Sequence, residues 1–156
     1  MLLKMILKTF AVELKRQVLI VPAALLAIGM SATVTVAQSK LYRPIPLSAG
    51  NEVSDILSEK DIPTGEGGFA RDYTVRLNEG DNLAIDLTSD SFDTILTLLA
   101  ADGSTIAEND DGPDGSTNSL LFTRIAKAGT YVIRVQTFGE TGIGSFKLKV
   151  TRLRPV

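Results

Sequence analysis

The sequence predicts an all-β fold, an antiparallel two-sheet β-sandwich of jelly-roll type preceded by an N-terminal signal or apolar helix. Three observations carry that expectation. Beyond Gly68 apolar residues fall at alternate positions, as in Tyr73, Val75 and Leu77 against Thr74 and Arg76. Such runs return at intervals of about ten residues, each closed by a Gly- or Asp-containing turn. No stretch between them carries strong helical periodicity, and a single open sheet would leave one apolar face in water.

The elements follow in order. Met1 to Gln17 holds Lys4, Lys8, Lys15 and Arg16 against one acid, Glu13, and the uncharged run VLIVPAALLAIGM comes next. A cationic flank before an apolar stretch is the order of a secretory signal. Thr35-Val36-Ala37 then offers small residues to a signal peptidase, so 1–37 is read as a signal peptide cleaved before Gln38. The alternative is an uncleaved membrane anchor facing outward, because 18–37 is free of charge and long enough to span a bilayer; Pro22 and the polar SATVT stretch weaken that helix. Residues 38–50, with Pro44 and Pro46, read as a linker.

The sandwich domain is placed at 51–152, with a tail at 153–156. Asn51 to Asp61 is ambiguous between a short helix and an edge strand, and Pro63 to Gly68 is a loop. Leu83, Ile85 and Leu87 alternate with Ala84 and Asp86 after the Asn78-Glu79-Gly80-Asp81 turn. DTILTLLA, 93–100, is apolar on both faces and predicts a central strand. Short strands are expected at 105–108 and 119–125. Tyr131, Ile133 and Val135, then Phe146, Leu148 and Val150, complete the alternating set. Tyr131, opening such a strand, is expected in the core with its hydroxyl reaching a backbone group at a sandwich corner, the alternative being a ligand-stacking ring on an exposed face.

Composition narrows the chemistry. With 156 residues the chain has room for one modest domain. It has neither cysteine nor histidine, which removes disulfides, thiolate metal sites, and Ser-His-Asp and Cys-His catalysis. Without its first 37 residues it would keep 12 basic and 17 acidic side chains, a net charge of −5, and no Lys/Arg cluster. That excludes nucleic acid as an expected partner, since phosphates need a cationic surface.

The ordered features of residues 92–150 resemble the bacterial pre-peptidase C-terminal domain, a family of small β-sandwich modules on secreted proteases and other exported proteins. Phe92-Asp93-Thr94 leads into an apolar strand, and Asp102-Gly103 closes it. Asn109-Asp110-Asp111-Gly112 opens a long loop that Asn118-Ser119 ends. Gly129-Thr130-Tyr131 and Gly144-Ser145-Phe146 begin later strands. Upstream, 57–61 and 69–73 look like the family's opening strands, which favours a strand over a helix before Asp61. Phe146 stands where the family commonly has tyrosine, Ile95 replaces a frequent aromatic, and TRIAKAG lacks the usual proline. The resemblance implies a non-catalytic accessory module, although in the family it usually trails a catalytic domain.

Asp93, Asn109, Asp110, Asp111 and Asp114 form the candidate metal set, with Asp90 nearby in sequence. Their oxygens would suit Ca2+, which takes six to eight such ligands in irregular loops, and the resemblance raises that expectation. The other reading is that Asp and Asn cap turns by bonding their own backbone. The spacing is not that of an EF-hand. Catalytic residues are not expected. Adjacent acids in a glycine-rich loop hold a carboxylate pair poorly, and Ser119 with Lys127 or Lys60 has no strand-to-helix elbow to support it.

The expected function is an exported, non-catalytic binding or accessory module in the periplasm or outside the cell, meeting a protein or polysaccharide surface or assisting a separate enzyme. The membrane would be met only through an uncleaved N-terminal segment. A calcium-stabilised envelope protein is the second expectation and a small carboxylate hydrolase the third.

Overall fold

The computed structural model describes residues 42–113, 115–140 and 142–154. The signal segment, its cleavage point and Asp114 lie outside the described residues. Within them the fold is all β, without a helix, and comprises β1 (Ile45–Pro46), β2 (Glu52–Leu57), β3 (Ile62–Pro63), β4 (Phe69–Leu77), β5 (Asn82–Thr88), β6 (Thr94–Leu99), β7 (Thr105–Asn109), β8 (Ser119–Arg124), β9 (Gly129–Thr137) and β10 (Gly144–Leu153).

The strands form two sheets, one in the order β1-β4-β9-β6-β7 with β3 also on β4, the other β2-β10-β5-β8. Setting aside the two-residue strands β1 and β3, successive strands alternate between sheets up to β6, and the first and last strands pair. This is the winding of a double-sheet jelly roll. As its apolar run predicts, β6 is internal to its sheet, between β9 and β7.

One pairing departs from the antiparallel expectation: β1 runs parallel to β4, with Ile45 opposite Tyr73. The stretch expected as a linker is therefore tied, from Tyr42 onward, to a sheet edge. Leu47 donates its backbone N–H to the Thr74 carbonyl at 2.9 Å and packs on the core. Pro44 and Pro46 lack the N–H groups that a longer strand would need.

The period-two pattern becomes the core. Tyr73, Val75 and Leu77 of β4, Ile85 and Leu87 of β5, Leu96 and Leu98 of β6, Tyr131, Ile133 and Val135 of β9, and Phe146, Leu148 and Val150 of β10 are buried together. Burying each large aliphatic or aromatic side chain stabilises by roughly 1.5–3 kcal/mol before entropy is counted. At one end of the core, Phe146 of one sheet meets Tyr73 of the other edge-on, ring centroids 6.3 Å apart, and Phe92 at 6.4 Å. These T-shaped contacts suit the quadrupoles of the rings.

Candidate functional site

The loop motifs are used to fasten strands. Asn109 accepts the Asp111 N–H on Oδ1 at 3.0 Å and donates Nδ2 to the Leu120 carbonyl at 2.7 Å. Leu120 N–H returns to the Asp111 carbonyl at 3.1 Å, so the loop covers part of the free edge of β8. Asn118 accepts the Ser89 N–H at 2.9 Å. Ser89 Oγ donates to the Ser145 carbonyl at 2.9 Å and accepts from the amides of Ser91 and Phe92, turning the chain from β5 into β6.

The candidate metal residues are only partly gathered. Leu96 of β6 is paired with Asn109, which puts Asp93 about 10 Å along the strand from that pairing. The far end of the loop comes closer, since Thr94 N–H bonds the Thr117 carbonyl at 3.0 Å. Asp110 and Asp111 are exposed and Asp93 is half-buried. Among the described residues no group of three Asp, Glu, His or Cys is placed to hold a metal ion. Asp114 falls outside them.

Ser119 is buried and does not meet a lysine. Its Oγ lies 2.6 Å from Thr94 Oγ1 and donates to the Thr94 carbonyl at 2.9 Å. Lys127 lies beyond the opposite end of β8, roughly 20 Å along the strand direction. Lys60 lies in the turn between β2 and β3.

A second cluster has no signature in the sequence because its members are scattered. On the outer face of the larger sheet, Asp72, Arg134, Thr97 and Glu108 stand opposite one another across β4, β9, β6 and β7. Arg134 grips Asp72 with two parallel bonds of 2.8 Å, and Tyr42 adds its hydroxyl to Asp72 Oδ2 at 2.7 Å. Thr97 donates to Glu108 at 2.8 Å. The Asp72 side chain is only 1% exposed, so its charge depends on these partners. The bidentate bond to Asp72 holds the Arg134 guanidinium above its ordinary range, against the cost of its own burial. Burial, then the bond to Asp72 and its charge, pushes the Tyr42 hydroxyl up to about 12.

At one end of β4 the chemistry turns into the space between the sheets. Arg71 reaches Asp61 through Nε and Nη2, both at 2.8 Å, and Asp55 of β2 at 2.7 Å. Tyr73 donates its hydroxyl to Asp55 at 2.8 Å. Burial alone would raise the Asp55 carboxyl, but Arg71, the Ile56 amide and Tyr73 outweigh it and bring the group below its usual range. Burial, followed by Asp55, pushes Tyr73 upward. Burial disfavours the Arg71 charge, and Asp61 and Asp55 more than offset it.

These two clusters flank a surface cleft of about 250 Å³ on the β4 edge, where β1 and β3 leave the strand between them uncovered. Tyr42, Arg43, Ile45, Lys60 and Ile62 form its rim, with Asp61, Arg71 and Asp72 behind.

Taken together, fold and polar clusters define a two-sheet sandwich module whose conspicuous Asp, Asn and Arg side chains brace strands and turns. Residues 70–137 match the model of the bacterial pre-peptidase C-terminal domain, the family that the ordered turn motifs resemble. The match runs from β4 to the end of β9, while β2 and β10, which complete the second sheet, lie outside it.

Among solved structures the chain is similar to the pre-peptidase C-terminal domain of collagenase from Bacillus anthracis, at 15% identity and TM-score 0.52, covering 70% of this chain and 95% of that one. PliG of Aeromonas hydrophila, a periplasmic inhibitor of g-type lysozyme, gives 14% identity and TM-score 0.48 over 69% of this chain and 96% of its own. Salmonella Typhimurium PliG, an inhibitor of the same kind, gives 10% and 0.44 over 70% and 100%. The likeness to the collagenase domain supports a shared fold. No curated protein matches the sequence.

Proposed function

We propose that this chain is an exported, non-catalytic module that binds a protein or polysaccharide surface, alone or beside a separately encoded enzyme. The observation that carries the reading is the commitment of its polar groups. Among the described residues every buried side-chain nitrogen and oxygen has a hydrogen-bond partner. Asp55, Asp61 and Asp72 are each locked to an arginine. General acid–base work needs a group free to take or give a proton in a cleft, whereas these acids are charge partners that hold strands together. The family supports the same reading, because the pre-peptidase C-terminal domain is a non-catalytic accessory of secreted proteins.

Export rests on the N-terminal segment and on the company the family keeps. Mass spectrometry of the chain recovered from culture fluid or periplasm should give Gln38 as its first residue. A full-length chain confined to the membrane fraction would favour the anchor instead. The binding role is tested by passing the chain over insoluble envelope polysaccharide and immobilised envelope proteins at several ionic strengths. Saturable retention supports it, while no retention together with measurable hydrolysis would return the chain to the enzymes.

A further inference from the structure

We propose that the cleft on the β4 edge docks an acidic peptide segment, whose carboxylates meet Arg43 and Lys60 while its apolar side chains lie against Tyr42, Ile45 and Ile62. This inference rests on the reading of the chain as a binding module and gives that module a place and a partner chemistry.

The charges at the cleft are unequally spent. Arg71 is taken by Asp55 and Asp61, and Arg134 by Asp72. The same pairs neutralise the carboxylates behind the rim. Arg43 and Lys60 have no carboxylate partner among the described ion pairs, and both are exposed. Among the described residues a ligand therefore meets two cations without an ion-pair partner and no unpaired anion on the lining, on a domain whose surrounding composition is acidic. Complementarity selects a negative ligand.

Apolar surface accompanies those charges. Tyr42, Ile45 and Ile62 are 45%, 42% and 37% exposed. The Tyr42 ring is held by its bond to Asp72, so little side-chain freedom is lost when something packs on it. Branched aliphatic walls suit peptide side chains better than the hydroxyl-covered face of a sugar. A neutral glycan would also seek carboxylate acceptors, and those of the cleft are already in use.

Strand addition is a poor way to bind here. Pro44, Pro46 and Pro63 lie along β1 and β3 and offer no backbone N–H. Recognition would instead fall to side chains, which places the specificity in Arg43 and Lys60.

The test uses the full chain in mild detergent and two fluorescent eight-residue peptides, one alternating Glu and Leu and one with Gln for each Glu, read by anisotropy. The Glu peptide should bind at least about tenfold more tightly than its Gln counterpart and weaken as salt rises. Arg43→Glu and Lys60→Glu should each cost about tenfold, with unchanged far-ultraviolet dichroism and melting, and Lys127→Glu should cost nothing. Equal binding of both peptides, indifference to both reversals, or no binding overturns the proposal. Polygalacturonate binding that is lost in the reversals, with no binding of the Glu peptide, assigns the cleft to an anionic polysaccharide and also overturns it. If the chain is retained on envelope surfaces equally with and without the reversals, this inference fails and the binding-module reading stands. If retention is absent altogether, that reading fails with it.

Discussion

Tyr131 illustrates how a single position joins sequence to fold. Its ring is buried, and its hydroxyl donates to the Lys127 carbonyl at 2.7 Å, fastening the turn that precedes β9. Tyr131→Phe keeps the packing and leaves that carbonyl to water, so a loss of about 1 kcal/mol is expected in urea denaturation. Gly144 is less tolerant. Its φ of +149° is one that side-chain-bearing residues rarely adopt, and a Cβ there would run into the Ser91 side chain. Gly144→Ala should cost roughly 1–3 kcal/mol, seen as a lower melting temperature with unchanged strand dichroism. Tyr42 gives a spectroscopic check. Because its folded-state pKa is raised, its contribution is complete below pH about 10 and fades as pH rises toward 12. Ultraviolet titration of the native chain should show a tyrosine ionising near pH 12 that is missing from Tyr42→Phe.

At the scale of elements, the two charge clusters join strands that are distant in sequence. Arg134→Ala would leave the Asp72 carboxylate buried with Tyr42 as its remaining side-chain donor. Removing one partner of such a pair costs about 2–4 kcal/mol, and the expected result is a lower denaturation midpoint. Asp55 ties β2 to β4 across the sheets, and its depressed pKa sets the sign of the acid response. Its contribution is present above the unfolded value of about 3.9 and is lost as pH falls through the lower folded value. From about pH 5 down to about pH 2 the native chain should therefore lose more stability than Asp55→Asn does, measured by guanidinium midpoints. Equal acid slopes would remove Asp55 from this role.

Over the whole molecule, the interleaved sheets share one core, so the sandwich should melt in a single transition. The calcium expectation belongs at this scale, because a ligand of the native state raises the melting temperature of the entire unit. Asn109 already spends both ends of its amide on the loop, and we expect calorimetry with calcium and with chelator to give the same melting temperature. A rise of several degrees with calcium would instead place the ion among Asp93, Asp110, Asp111 and Asp114. Period two in residues 73–77, 83–87, 131–135 and 146–150 was enough by itself to determine the strands and the all-β class, because a strand's side chains alternate strictly between faces. The family resemblance was legible too, because its residues are the Asn, Ser and Gly of turns, whose local chemistry is tied to their neighbours. The sequence did not disclose that 42–47 would lie along β4, or that Asp72 would find Arg134 and Asp55 would find Arg71. Those pairs are made by register and by the stacking of two sheets, and linear spacing carries no signal for contacts that only closure of the sandwich creates.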